Sequence, residues 1–306
     1  MHEGSRKAII AAFIANFGIA VAKFAAFLVT GAASMLAESI HSFADTGNQA
    51  LLFLGGARAK RAPSATHPFG YGRERYFWAF IVALMLFSLG SLFAMYEGIE
   101  KLVHPHEVES PEWAFGVLAI AIVLESFSLR TAVREANHVR GSRSWWQFVR
   151  SSKSPELPVV LLEDVGALTG LAFALLGVTL ATITDEPAFD ACGSVAIGLL
   201  LGVIAVILAI EMKSLLIGES ASTEDEEAIR HAITSGPEVD HLIHLRTEHL
   251  GPENLLVAAK VDLAASADDD AARAIDRIEA RIRARVPGAT VIYIEADELR
   301  GSVEPY

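Results

Sequence analysis

Only one cysteine, Cys192, occurs in 306 residues, so no internal disulfide and no multi-cysteine metal site can be built. Basic residues are in deficit: 25 Lys and Arg against 37 Asp and Glu give a formal charge of −12. That balance argues against a nucleic-acid partner, since such partners call for a basic face. Charge of either sign is thin, at 20%, while 52% of residues are hydrophobic and the mean hydropathy is +0.39. Such a chain is too apolar for an ordinary water-soluble protein of this length. The first apolar run is longer than a signal-peptide core and a second follows directly, so no cleavable leader is expected.

Long apolar runs are what the chain has instead. Six of them, at roughly 7–30, 34–57, 76–99, 112–135, 157–181 and 187–213, each reach the ~18 residues that a membrane-crossing helix needs. Loop charge sets their expected orientation. The connection after the second span carries Arg58, Lys60, Arg61, Arg73 and Arg75 against Glu74, and that after the fourth carries Arg130, Arg134, Arg140, Arg143, Arg150 and Lys153 against Glu135. The opposite side carries Glu97, Glu100, Glu107, Glu109 and Glu112 against Lys101, then Asp185 and Glu186. The excess of Lys and Arg on one side predicts cytoplasmic termini and cytoplasmic basic loops. Tyr76, Phe77 and Trp78, Trp113, and Trp145 with Trp146 fall where interfacial aromatic belts belong.

One stretch breaks the apolar pattern. In 34-SMLAESIHSFADTGNQ-49, Glu38, His41, Asp45 and Asn48 recur at spacings of three, four and three, which places them on one stripe of a helix. Ionisable groups at membrane depth are costly facing lipid, so the stripe is expected to face a bundle interior or a water-filled cavity. Imidazole and carboxylate at i, i+4 are also a ready pair of divalent-metal ligands. A polar network that only binds helices together is the plainer alternative. Elsewhere, Asn16 and Lys23 share a face of the first span, and Glu125 sits among Ser126 and Ser128 in the fourth. Asn16 suits a helix–helix hydrogen bond, and Glu125 suits a proton carrier, a partner for Lys23 or a network member. The fifth span has one charged pair, Glu163–Asp164, and its Gly166 and Gly170 form a small face that admits a close neighbour. Approach to the second span would bring one of these carboxylates toward His41 and Asp45. Asp190 suits the mouth or start of the sixth span.

After 215-LLIGES-220 the composition turns soluble. A helix near 224–234, strands near 239–248 and 255–263, a helix near 268–286 and a strand near 290–296 are punctuated by Gly236–Pro237, Gly251–Pro252 and Pro287–Gly288. That α-β-β-α-β order predicts a small α+β domain, for which dimerisation would supply extra burial. Its histidines, His231, His241, His244 and His249, read more readily as scattered surface residues than as a metal site. The expected architecture is an α-helical membrane protein of six transmembrane helices at 1–217, followed by a cytoplasmic domain at 218–306.

These motifs together, 38-ESIHSFAD-45, 67-HPFGYGRERY-76, 190-DACGSVAIG-198 and 215-LLIGES-220, with six spans and an α+β tail, resemble the cation diffusion facilitator family over nearly the whole chain. The resemblance implies a ferredoxin-like tail and a homodimeric exporter of Zn²⁺ or a similar divalent ion. Inward proton movement would drive it, with no cofactor and no enzymatic activity. It implies midmembrane ligands from the second and fifth spans, here His41 and Asp45 with Asp164 and Glu163; Glu38, Asn48 and Glu125 are lesser candidates. The fifth span departs from the family's frequent second HxxxD, with Val160 standing where the histidine would be, and its LLEDVGALTG wording looks like the branch that includes the mitochondrial zinc transporters. A donor set of one nitrogen and several oxygens suits Mn²⁺ as well as Zn²⁺. At the loop site of bacterial members, His67 matches one ligand but Ser64 and Tyr71 stand at others; in the tail, usual ligand positions fall on Ile243, Ala259 and Ile294 or Ala296. A mainly dimerising tail is therefore expected. The Ala- and Arg-rich composition points to a bacterial inner membrane. Two other readings stand beside transport: a non-transporting metal-binding or partner-binding scaffold, and a membrane hydrolase, for which the core offers few histidines.

Overall fold

The computed structural model describes residues 13, 16–22, 24–25, 28, 33–105, 111–265 and 270–299, without the side chains of 33–41, 111 and 113. Lys23, Glu107, Glu109, the side chains of Glu38, His41 and Trp113, and much of the first expected span lie outside the described residues. The chain divides into two compact units, one within Met1–Ala57 and Tyr76–Lys213, the other within Arg58–Arg75 and Ser214–Tyr306.

The first unit is helical: α1 (Ala33–Arg58), α2 (Glu74–Val103), α3 (Pro111–Arg140), α4 (Trp145–Ser151), α5 (Glu156–Thr184) and α6 (Ala188–Ile217). Among the described residues, four segments are long and apolar enough to cross a membrane: Glu74–Val103, Ala114–Arg140, Glu156–Thr184 and Ala188–Ile217. Of the six expected spans, the first falls largely on residues that are not described, and the second is α1, whose side chains are described from Ser42 onward. Helix α1, with 26 residues, would reach about 39 Å at ~1.5 Å per residue, beyond a hydrocarbon core of ~30 Å. Phe127, Ile183, Val203 and Ile210 are exposed, as apolar side chains turned to lipid would be. The short α4 starts where Ser144 caps it: Ser144 Oγ accepts from Gln147 N, and the Gln147 side chain accepts from Ser144 N.

Small residues set how these helices pack. A Cβ on Gly166 would lie 2.8 Å from Ile204 Cδ1, and one on Gly177 would lie 3.0 Å from the Phe189 carbonyl. The Gly166–Gly170 face therefore receives α6, through Ile204, Leu201 and Ile197. Helix α2 meets α6 in the same way, with Gly98 and Gly198 at backbone distance from their neighbours and Ser91 Oγ donating to Gly198 O at 2.7 Å. Lipid tails give helices little hydrophobic reason to associate, so close approach and cross-helix hydrogen bonds carry the packing. A π-helical turn over Leu86–Leu92 interrupts α2 beside that contact. At the far end of the pair, Asp190 lies in the first turn of α6 and accepts from Lys101 Nζ at 3.2 Å, as Glu97 also does.

The second unit holds α7 (Thr223–Thr234), β1 (Val239–Gly251), β2 (Asn254–Leu263), α8 (Ala271–Arg285) and β3 (Ala289–Ala296), the expected order. Strand β2 is central, antiparallel to β1 and parallel to β3; the parallel pair requires the crossover that α8 provides. Alternate residues of β2, Leu255, Val257, Ala259, Val261 and Leu263, are buried in one core with Ile229 and Ile233 of α7 and Ile278 and Ile282 of α8. Period-two and period-3.6 patterns thus meet in a two-layer domain. Ser222 caps α7 by accepting from Asp225 N, with acids in the first turn where the helix dipole favours them.

Candidate metal-transport site

A small cavity in the helical unit gathers most of the polar candidates. Asn16, Asp45, Gln49, Leu86, Glu125, Glu163, Asp164, Ala167 and Leu201 line it, and its volume, ≈ 20 Å³, is that of an ion or a water. Asp45 and Gln49 come from α1, Glu125 from α3, Glu163 and Asp164 from α5, and Leu86 from the start of the π-helical turn. Two hydrogen bonds orient the acids: Asn48 Nδ2 donates to Glu163 Oε1 at 3.0 Å, and Ser128 Oγ donates to Asp164 Oδ2 at 3.0 Å. Asp164 is 5% exposed, and Asn48 and Gln49 are buried.

Five sequence candidates are thus found at or beside one cavity: Asp45, Glu163, Asp164 and Glu125 on its wall, Asn48 behind it holding Glu163. Adjacent residues of a helix diverge by ~100°, yet both Glu163 and Asp164 line this space. Val160 packs instead against the apolar cluster of Ala132, Ala136, Phe148 and Leu161; an apolar side chain there matches an apolar surrounding. The side chains of His41 and Glu38 lie outside the described residues. Gln49 and Asn16 also line the wall. Gln49 was the residue that spacing passed over, although it stands four after Asp45 and so shares its face. Among the described residues no three His, Cys, Asp or Glu side chains stand as a ready metal-holding group, so the four carboxylates border the cavity without closing on a single point.

Other candidate positions have different surroundings. In the second unit, Ser64 Oγ lies 3.1 Å from Tyr71 Oη and 3.1 Å from Thr66 Oγ1, Thr66 Oγ1 lies 3.1 Å from His67 Nδ1, and His67 N donates to Ser64 Oγ at 3.2 Å. The His67 and Tyr71 ring centroids lie 4.5 Å apart, with the rings tilted by 34°. Arg73 pairs with Glu248, and a Cβ on Gly72 would meet Leu250 O at 2.5 Å, so only glycine lets this loop lie against the β1–β2 turn. The tail histidines are dispersed: His241 faces Asp262 at 3.6 Å, His231 lies 2.8 Å from an Arg285 nitrogen, and buried His249 lies 3.4 Å from Gly251 O. Ala259 and Ile294 belong to the apolar core.

Residues 9–217 match the cation efflux transmembrane domain and residues 221–297 the cation efflux protein cytoplasmic domain. The chain belongs to the cation efflux, or cation diffusion facilitator, family. It is similar to the proton-coupled zinc antiporter SLC30A9, mitochondrial, of Mus musculus, with 33% identity over 262 residues, covering 85% of this chain and 46% of that protein. Metal tolerance protein C4 of Arabidopsis thaliana is 30% identical over 264 residues, 85% of this chain and 57% of its own. The cation-efflux pump FieF of Pectobacterium atrosepticum is 24% identical over 279 residues, 89% of this chain and 86% of its own. The chain spans about half the length of the SLC30A9 relative.

Proposed function

We propose that this protein moves a divalent cation, Zn²⁺ before others, across a membrane in exchange for protons, by alternating access at a midmembrane site between α1 and α5. The observation that carries the reading is the cavity bordered by Asp45, Glu163, Asp164 and Glu125. Ionisable groups at membrane depth mark ion pathways, and carboxylates must shed protons to take up a metal. His41 and Asp45 on α1, with Asp164 and Glu163 on α5, are the proposed ligands; Asn48 orients Glu163, and Glu125 and Glu38 are accessory. An unperturbed imidazole titrates near ~6.5, so metal and protons compete around neutral pH. The similarity to a protein named as a proton-coupled zinc antiporter supports the same cargo.

Residues 1–217 are proposed to transport and residues 218–306 to dimerise, giving a homodimer with both termini cytoplasmic. The proposed setting is a bacterial inner membrane. Carboxylates that border a cavity without closing on one point suit a site that must both bind and release its ion. The test is uptake of Zn²⁺, Mn²⁺ and Co²⁺ into proteoliposomes under an imposed pH gradient. Proton-linked flux, lost in Asp45→Ala and Asp164→Ala, is the expected result. No flux for any ion by folded, dimeric protein would overturn transport in favour of a metal-binding or partner-binding scaffold.

A further inference from the structure

We infer that the side-chain amide of Gln49 is a neutral oxygen ligand of the transported cation and helps set which cation is accepted. This rests on the reading of the cavity as the transport site. Gln49 is 4% exposed and lines the same wall as Asp45, one helical turn away. Its Oε1 is buried and has no hydrogen-bond partner among the described residues. Buried amide oxygens are almost always paired, because burying one bare forfeits its hydrogen bond to water. A polar oxygen left bare on the wall of a carboxylate-bordered cavity has one chemically obvious use, which is to meet a cation there.

The neighbouring Asn48 sharpens the assignment. Its Nδ2 is committed to Glu163 Oε1 at 3.0 Å, so Asn48 acts on the site through a carboxylate. Gln49 faces the cavity directly. A fifth carboxylate would add repulsion in a poorly solvated site, whereas an amide adds a donor oxygen with no charge. Amide and carboxylate oxygens are hard donors, which favour Zn²⁺ and Mn²⁺ over the softer Cd²⁺.

The test uses full-length purified protein and titrates Zn²⁺, Mn²⁺ and Cd²⁺ separately into wild type, Gln49→Leu, Gln49→Met, Gln49→Glu and Asp45→Ala at fixed pH. Gln49→Leu is expected to weaken Zn²⁺ by about tenfold or more, and Gln49→Glu to keep it within about threefold or tighten it. Gln49→Met, which exchanges a hard oxygen for a soft thioether of similar length, is expected to raise the Cd²⁺-to-Zn²⁺ affinity ratio by about tenfold. A residue that only packs, or that a water satisfies, would leave that ratio unchanged. Unchanged affinities and ratio in the Leu and Met variants, with Zn²⁺ lost in Asp45→Ala, would overturn the role of Gln49 and leave the site standing. Zn²⁺ binding that survives Asp45→Ala as well would overturn the site itself. Should the Leu variant fail to fold, the Met and Glu variants decide the question.

Discussion

Two polar clusters, one in the membrane helices and one in the loop of residues 64–71, end in opposite states. In the loop, Ser64, Thr66, His67 and Tyr71 satisfy one another through contacts of 3.1–3.2 Å. In the membrane cavity, Asn48 and Gln49 each keep a buried oxygen with no partner among the described residues, and four carboxylates border the space. A cluster that spends its hydrogen-bonding capacity internally is already a finished structure. One that leaves acceptors bare and acids side by side is unfinished without a positive charge. Ligand chemistry is therefore expected in the membrane and not in the loop.

The sharpest way to break this contrast is to remove an acid from the cavity. Asp164→Ala or Asp45→Ala should lower Zn²⁺ affinity by more than about 100-fold, read by equilibrium titration; a loss below tenfold would mean that the site lies elsewhere. Removing only the support of an acid should do less. Ser128→Ala frees Asp164 Oδ2 and should weaken Zn²⁺ by about tenfold with little change in fold stability. The cytoplasmic domain offers an effect of another kind. Burial opposes ionisation of Glu238, but the hydrogen bond and charge of Arg281, 2.5 Å away, outweigh it and hold the carboxyl below its ordinary range. A depressed carboxylate stabilises the fold above its unfolded pKa of about 4.3, and that contribution is lost as pH falls through the lower folded value. Glu238→Gln should therefore cost about 1–3 kcal/mol at pH 7 and nothing extra in strong acid, measured by denaturant unfolding against pH. The smallest effect belongs to the loop. Tyr71→Phe should change metal affinity less than about threefold, since one internal hydrogen bond is worth only ~0.5–1.5 kcal/mol and faces no ion.

Much of this contrast was legible in the sequence, and the remainder fails for physical reasons. Helical spacing was enough to put Asp45 on one stripe with Asn48, and Glu163 and Asp164 stood out as the charged pair of the fifth span. Spacing could not decide between Asn48 and Gln49, which sit about 100° apart and straddle the direction set by Asp45; neighbouring helices assign one to Glu163 and the other to the cavity. The Gly166–Gly170 face was readable as a close-contact surface, but its partner, α6, follows from tertiary packing that a linear pattern does not encode. The π-helical turn at Leu86–Leu92 has no marker in residue type alone. In the tail, alternation along β2 and the Gly–Pro breaks were sufficient to give the order of elements, because a two-layer α+β unit is governed by local periodicity.

The most direct test of the account is the number of Zn²⁺ ions that each full-length chain holds at neutral pH, counted by mass or by titration, with and without Asp164→Ala. A single exchangeable ion per chain, lost in Asp164→Ala and unchanged in Tyr71→Phe, is the predicted result. An ion that persists in Asp164→Ala and disappears when the loop or tail histidines are replaced would contradict it.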